Sequence, residues 1–340
     1  MCHWRNIKMT ETTVLVTGSD GFIGSHVCKA FKNISWNVVG LDRTSNNSNA
    51  QAYCNELLRA DYGDKTLVTK YLEQVKPNVI VHCAGTSLVG PSVTDPASYY
   101  QNNVQGTISL LESILQVQKE KLPTFIFSSS ASVYGNPVQE HIVEDHPINP
   151  MSPYGNTKAI IEKMLQDYAT GYGLNSVVFR FFNASGASED LGQPFGATHI
   201  IARILEAKLN NKTFTLNGTD YQTKDGTCIR DYVHVEDIAQ AHLKVVTTYT
   251  PQGACVFNLG TNNGFSNQEI INYVTNSIGE VNVEHGPRRE GDPDQLIADS
   301  TKARELLHWD PSNSNIESII DSVWNWYVLL LEKQKEVTQV

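Results

Sequence analysis

The sequence predicts an α/β protein: a Rossmann-type doubly wound parallel sheet followed by a smaller C-terminal α/β domain. Three observations carry that expectation. Short β-rich runs, several apolar on both faces, alternate with helix-period segments through the first half, as a sheet covered on two sides requires. The first run leads directly into glycines spaced G-x-x-G-x-x-G, a strand-to-helix turn suited to phosphate. Beyond Asn183 the alternation loosens into helices with short strands, which marks a change of domain.

Taken in order, VLVT (14–17), NVVGLD (37–42), LLRAD (57–61), NVIVHCAG (78–85), TFIFSSS (124–130) and SVVFRF (176–181) read as strands. Between them Ile23, Val27 and Phe31 recur every four residues, and 67–75, 104–115 and 159–168 also read as helices. The order βαβαβ implies right-handed crossovers. In the second half 199–209, 237–247, 267–278 and 315–331 read as helices, and FTLNG, IRDYVHV and VFNLG as short strands. The expected division is a dinucleotide-binding domain over 1–182 and a substrate domain over 183–340. Residues 1–12 are read as an extension, and 229–264 as able to return to the first domain.

Composition narrows the partners. A chain of 340 residues, 40% hydrophobic and 18% charged, can bury a large core. No stretch reaches the roughly 18 apolar residues of a membrane helix, and MCHWRNIKMTE lacks a secretory apolar region, so the expected compartment is the cytosol. Six cysteines occur without a C-x-x-C pair, which argues against zinc or a disulfide framework; they read as reduced thiols, most of them buried. A net charge of -10 opposes binding to nucleic acid or an anionic membrane. Glu140, His141, Glu144, Asp145 and His146 lie in a loop marked by Pro147 and Pro150, without an H-x-x-x-H helix, and read as a solvated segment rather than a metal site. An anionic substrate would need local arginines, and Arg288 and Arg289 stand together in PRREGD.

In GSDGFIG, Gly18, Gly21 and Gly24 follow a strand and open an amphipathic helix. Unpaired N–H groups and the helix dipole there favour a pyrophosphate. Asp42 ends the second strand, 18 residues past Gly24, placed to accept from a ribose 2'-hydroxyl and to repel a 2'-phosphate. That favours NAD over NADP, although Arg43 is adjacent.

SPYGNTK sets Tyr154 and Lys158 four apart after Pro153, on one face of a helix that Pro153 can begin. A phenol with a pKa near 10 is a weak base at neutral pH. A nearby ammonium and an oxidised nicotinamide would stabilise its anion, so that Tyr154 could take a proton from an alcohol as carbon loses hydride. Ser130, in the hydroxyl cluster SSSASVYG, would hydrogen-bond the same oxygen.

These phrases occur in a recognisable series: GSDGFIG, Asp42, VIVHCAG, YYQNNVQGT, SSSASVYG, SPYGNTK, RFFNASGA, DGTCIRDYVHVEDIAQAH, VFNLG and PRREGDP followed by ADSTKA. From about Thr13 to Trp309 the chain resembles the UDP-galactose (UDP-glucose) 4-epimerases of the extended short-chain dehydrogenase/reductase superfamily. The resemblance implies tightly held NAD as a recycled oxidant, Tyr154 as base, Lys158 as its electrostatic partner and ribose anchor, and Ser130 as the sugar-contacting hydroxyl. It implies cofactor contacts at Gly18, Gly21, Phe22, Ile23, Gly24 and Asp42, at Asp61 and Tyr62 beside adenine, and at Ala84, Gly85, Asn102 and Ser128. For a UDP-sugar it implies Asn183, His199, Arg230, Arg289, Asp292 and Leu296, and for assembly a homodimer. Two positions depart from some members: Ser87 stands for a lysine and Phe181 for a tyrosine.

Related dehydratases carry Asp and Glu beside the catalytic hydroxyl to expel water, whereas Ala131 and Ser132 occupy those positions here. Reduction of a transient 4-ketone from its other face, and hence epimerisation, is the expected outcome. The resemblance places Leu296 at a position that helps gate the sugar pocket in that family, where a bulky tyrosine accompanies plain hexoses and a small residue N-acetylated ones; leucine is intermediate. UDP-glucose and UDP-galactose are the expected pair, with UDP-N-acetylglucosamine epimerisation as the alternative. A dehydrogenase that releases its reduced cofactor and a non-catalytic NAD-binding regulator remain as other readings; the second predicts erosion of Ser130, Tyr154 and Lys158, all of which are present.

Overall fold

The computed structural model describes residues 12–43, 51–288 and 292–338. In chain order the strands are β1 (Thr13–Thr17), β2 (Asn37–Asp42), β3 (Glu56–Arg59), β4 (Val79–His82), β5 (Thr124–Ser130), β6 (His141–Ile142), β7 (Ser176–Phe181), β8 (Asn183–Ser185), β9 (Phe214–Asn217), β10 (Ile229–Arg230), β11 (Tyr232–His234), β12 (Ala254–Leu259), β13 (Phe265–Ser266), β14 (Val283–Gly286) and β15 (Gln295–Ala298). The helices are α1 (Phe22–Asn33), α2 (Lys65–Val75), α3 (Val89–Thr94), α4 (Pro96–Tyr99), α5 (Gly106–Gln118), α6 (Pro153–Tyr172), α7 (Ile200–Leu209), α8 (Val235–Thr247), α9 (Asn267–Ser277), α10 (Thr301–Leu307) and α11 (Ile316–Thr338). Among the described residues no helix is long and apolar enough to cross a membrane.

Seven strands form the doubly wound sheet, ordered β12-β7-β5-β4-β1-β2-β3. The pairings β1–β2, β1–β4, β2–β3 and β4–β5 are all parallel. The order reverses at β1, and in such sheets ligands lie beyond the carboxyl ends of the strands at that reversal. Runs such as VLVT and FIF are apolar at every position because both faces are covered: Val14, Leu15, Val16, Phe125, Ile126 and Phe127 are fully buried.

The chain divides into two compact units. The first comprises 1–128, 160–178 and 250–255, and the second 129–159, 179–249 and 256–340. In the first, α1 buries Val27, Cys28 and Phe31, and Asp64 caps α2 by accepting from the Leu67 N–H at 3.0 Å. A π-helical turn, Tyr100–Gln105, precedes α5, so the helix read from residue 104 is regular only from 106. In the second unit, one core gathers Ile201, Ile204, Leu205, Phe214, Ile270, Ile319 and Tyr327. Helix α9 begins with a capping box between Ser266 and Glu269.

The run IRDYVHV, expected as one strand, is two. β10 pairs with β13 and β15, whereas β11 pairs with β8. The break falls at Asp231, whose buried carboxylate accepts from Thr261 N–H and Oγ1, Asn262 N–H and Ala298 N–H. Its backbone N–H turns to the Leu296 carbonyl and its carbonyl to the Asn183 N–H. The cysteines are also less buried than expected: Cys28 and Cys228 are buried, but Cys54, Cys83 and Cys255 are only partly so.

His242 on α8 lies against the rings of Phe179 and Phe181 at 5.0 and 6.1 Å. Its Nδ1–H donates to the Ile238 carbonyl at 2.8 Å, leaving a buried Nε2 without a partner. Burial therefore holds this imidazole down to about 4, against 6.5 in the unfolded chain. Its contribution to stability is complete above pH 6.5 and is lost as pH falls towards 4. At about 1.4 kcal/mol per pH unit the loss is on the order of 3 kcal/mol. Urea unfolding of wild type and His242→Phe across this window should give a difference that follows that slope; parallel curves would contradict it.

Candidate active site

The end of β1 brings three backbones together. Gly18 adopts φ +69°, and a Cβ on it would stand 2.7 Å from the Ala84 nitrogen; one on Gly24 would stand 2.1 Å from the Gly18 carbonyl oxygen. Neither position tolerates a side chain. The glycines thus let α1 start directly behind the turn, with no side-chain cap and no acidic residue in its first turn. Its first N–H groups and dipole remain available to an anion. Phe22 and Ile23, half-buried, form that first turn.

In front of this turn lies a cavity of about 300 Å³ within the first unit. Gly18 and Gly21 line one side, Asp42, Asp61 and Tyr62 another, and Ala84, Gly85 and Asn102 a third. Eight of the residues expected at a cofactor are therefore neighbours. Sequence reasoning missed Asp20, which also lines the cavity: its N–H donates to Asp42 at 3.1 Å and its carboxylate pairs with Arg59 at 3.3 Å. The Asp20 backbone orients the Asp42 carboxylate, and Arg59 balances the second acid. The D in GSDGFIG was the only signal for it. Arg43 sits 3.9 Å from Asp61, so a carboxylate offsets the cation beside Asp42. Ser128, at the carboxyl end of β5, donates its hydroxyl to Cys83 Sγ at 3.3 Å. The donor set, a bare helix N-terminus with a carboxylate at the end of β2, fits a dinucleotide with a free 2'-hydroxyl.

In the second unit, Pro153 opens α6 and puts Tyr154 and Lys158 on its first two turns. Tyr154 is 8% exposed and Lys158 5%. The ammonium nitrogen lies 5.7 Å from the phenol ring centroid, within cation–π range. Ser130 accepts from the Ser132 N–H at 3.2 Å, fixing a tight 3-10 turn over 131–133. A Cβ on Gly155 would stand 2.7 Å from the Ser132 carbonyl oxygen. The Ser130 turn therefore rests directly on the helix backbone beside Tyr154.

That turn is braced from behind. Tyr134 donates to Asn258 Oδ1 at 2.6 Å and accepts from Arg180 Nη1 at 2.8 Å. Arg180 also donates to the Glu144 carbonyl, and the Asn258 N–H donates to Glu144 Oε1 at 2.9 Å. Burial pushes the Tyr134 phenol up to about 12, so it stays a donor at neutral pH. Glu144 and the buried His146, which packs edge-on against Tyr134, are thus structural; the expectation of a solvated segment holds only for exposed neighbours such as Asp145.

The residues expected at a UDP-sugar also lie in this unit. Parallel register sets Arg230 beside Leu296, and Asn183 beside Tyr232. Arg230, 8% exposed, pairs with Asp292 at 2.6 Å and donates to the Pro293 and Ile229 carbonyls at 2.9 and 2.7 Å. Three of the five guanidinium N–H groups are committed in this way among the described residues. Tyr221, absent from the expectation, donates to the other Asp292 oxygen at 2.9 Å, and Arg288 stacks on its ring at 4.0 Å. Leu296 packs on the cluster containing Ala131, Val133 and Tyr134, which joins it to the Ser130 turn. His199 is the N-cap residue of α7, where desolvation by its surroundings lowers the imidazole pKa. Arg289 lies outside the described residues.

A doubly wound parallel sheet with this glycine turn and a buried Tyr–Lys pair on a helix defines an α/β nucleotide-dependent enzyme of the extended short-chain dehydrogenase/reductase type. Residues 14–260 match the model of the NAD dependent epimerase/dehydratase family. A UDP-glucose 4-epimerase of Lactobacillus helveticus is 40% identical over 326 residues, 92% of this chain and 96% of the relative. A crystal structure of UDP-glucose 4-epimerase from Brucella ovis in complex with NAD is 38% identical, with a TM-score of 0.84 over 92% of this chain and 97% of that one. The enzyme from Bifidobacterium longum in complex with NAD+ and UDP is 33% identical, with a TM-score of 0.85 over 93% and 98%. The chain belongs to the NAD dependent epimerase/dehydratase family, among its UDP-glucose 4-epimerases.

The glycine turn generates a contrast that thermal unfolding can check. Gly24→Ala must displace the Gly18 backbone and should lower stability by more than about 2 kcal/mol. Gly171→Ala, on α6 with open space around its Cβ, should be neutral or stabilising by up to about 1 kcal/mol.

Proposed function

We propose that the chain is an isomerase, an NAD-dependent 4-epimerase that interconverts UDP-glucose and UDP-galactose through a transient 4-keto sugar. The observation that carries this reading is the buried Tyr154–Lys158 pair, which shares a backbone contact with a Ser130 turn that holds no carboxylate. NAD, when bound, supplies a hydride acceptor that can return what it took. Gly18, Gly21 and the first turn of α1 would hold its pyrophosphate, Asp42 its adenosine ribose, and Asp61 and Tyr62 its adenine; Lys158 would hold the second ribose.

In this reading Tyr154 removes the proton from the C4 hydroxyl of the sugar. The Lys158 ammonium stabilises the phenolate, and Ser130 donates a hydrogen bond to the oxygen as it becomes a carbonyl. Ala131 has no acid group, and the Ser132 hydroxyl is buried without a partner, so the turn offers nothing to expel water from carbons 5 and 6. The ketone is then reduced. Inversion needs the sugar to turn over while UDP stays fixed, which suits recognition concentrated on the diphosphate at Arg230 and Arg289. A homodimer and a cytosolic location belong to the same proposal.

A second reading, epimerisation of UDP-N-acetylglucosamine, is favoured by Leu296. Its half-buried side chain on β15, packed on the Ser130 turn, is smaller than a tyrosine, so an acetamido group has more room beside it.

Tyr154→Phe should lower kcat by about 100- to 10,000-fold while NAD and UDP remain bound; full activity in this variant would remove Tyr154 as base. Leu296→Tyr should leave turnover of UDP-galactose within about threefold and depress that of UDP-N-acetylgalactosamine about tenfold or more, as measured by coupled assay with each sugar.

A further inference from the structure

Behind the cavity of the first unit runs a hydrogen-bond chain that no step above uses. His82, the last residue of β4, is 1% exposed. Its Nδ1 lies 2.7 Å from Thr17 Oγ1 and its Nε2 2.9 Å from Thr107 Oγ1. The Thr107 hydroxyl gives its single proton to the Asn103 carbonyl at 2.6 Å. Its oxygen can therefore only accept from the imidazole, and Nε2 must carry a proton. In a neutral ring Nδ1 is then an acceptor, so Thr17 donates to it. The Thr17 oxygen in turn accepts from the Ala84 N–H at 3.3 Å. The chain runs in one direction, from Ala84 through Thr17, His82 and Thr107 to Asn103. A proton on Nδ1 would turn the Thr17 hydroxyl into an acceptor, reversing that bond and leaving the Thr17 proton to find another partner.

One end of this chain, Ala84, lines the cavity, and the other, Asn103, adjoins Asn102, which lines it too. Thr17 precedes Gly18, and Ala84 is the residue against which Gly18 packs. The Asn103 side chain accepts from the Thr86 N–H at 2.8 Å and donates to the Thr86 carbonyl at 3.0 Å. Its neighbour Asn102 donates to Thr86 Oγ1 at 2.8 Å and, through its carbonyl, receives the Tyr62 hydroxyl. The Tyr62 ring stands edge-on to the imidazole, 5.0 Å away at 69°. The glycine turn, the end of β4, the adenine wall and the Asn102 wall thus all meet at one side chain.

We propose that His82 is a positioning residue for the dinucleotide: as the neutral Nε2–H tautomer it sets the spacing of these walls, and with it the affinity for the cofactor. The inference rests on the reading that this cavity holds NAD. A ring acting only as filler would be replaceable by phenylalanine, which keeps the contacts with Phe125, Phe127 and Tyr62. A hydrogen-bonding role would not, because His82→Phe leaves the buried Thr17 hydroxyl without its acceptor and removes the donor to Thr107, whose own proton stays on the Asn103 carbonyl.

The test measures bound NAD per chain after exhaustive dialysis, the NAD dissociation constant on rebinding, and the KM for UDP-galactose, in wild type, His82→Phe, His82→Asn and His82→Gln. His82→Phe should weaken NAD about tenfold or more, the effect of one unpaired buried hydroxyl, with KM for the sugar unchanged. Asn can keep the acceptor for Thr17 and Gln the donor to Thr107, so each should fall between wild type and Phe. Nitrogen-15 NMR of the wild type, with the His82 signals assigned by their loss in the Asn variant, should show a protonated Nε2 and an unprotonated Nδ1. Equal NAD affinity in wild type and His82→Phe, or a proton on Nδ1, would overturn the proposal. If His82→Phe does not fold, the Asn and Gln affinities and the wild-type spectrum decide it. Wild type that binds no NAD would sink the cofactor reading itself, whereas wild type and His82→Phe binding equally well sinks only the role of His82.

Discussion

The close approach of backbones at the end of β1 is the constraint on which the rest depends. With Gly24 against the Gly18 carbonyl and Gly18 against Ala84, α1 begins within a few residues of the strand and its unpaired N–H groups open on the cavity. A methyl group at either glycine would close that geometry. The strand order follows the same logic, since the sheet reverses at β1 and so leaves its carboxyl end uncovered for a ligand. The cavity is then completed by ordinary devices: Asp42 at the end of β2, oriented by the Asp20 N–H, and the His82 chain that ties β1 and β4 to the segment around Asn102 and Asn103.

The second unit solves a different problem, burying the Tyr154–Lys158 pair against the turn that carries Ser130. Burial raises the pKa of Tyr134 and keeps it a donor, while the Lys158 ammonium lies 5.7 Å from the Tyr154 ring centroid. Rigidity comes from contacts, not from extra charge. The Ser132 carbonyl touches Gly155, and the Arg180–Tyr134–Asn258 chain anchors the other end of the turn. Leu296 packs on the apolar cluster that includes Ala131 and Val133 of the same turn.

Much of this was legible in the sequence. Strands buried on both faces announce themselves as unbroken apolar runs, and glycines at a strand-to-helix turn carry their own reason. The seven strands of the sheet and the main helices of the second half fall near their expected positions. What the sequence hid was set by tertiary partners. IRDYVHV has the residues of one strand, and only the four donors around Asp231 explain why it is two. β6, β8 and β13, two or three residues each, have no periodicity to read. Glu144 and His146 look like exposed loop residues until Arg180, 36 positions from Glu144, donates to the Glu144 carbonyl and the Tyr134 ring meets His146. His82 read only as a strand residue in VIVHCAG, because its function depends on Thr17 and Thr107, 65 and 25 residues away.

The most direct measurement gives the purified protein UDP-galactose and UDP-N-acetylgalactosamine in separate tubes, without added cofactor, and follows the anomeric protons by NMR. A recycled, tightly held NAD predicts a new UDP-glucose signal that grows to equilibrium in the first tube, with many turnovers per chain. No conversion of either sugar in protein that retains its NAD, or conversion that stops after one turnover per chain, would contradict the account.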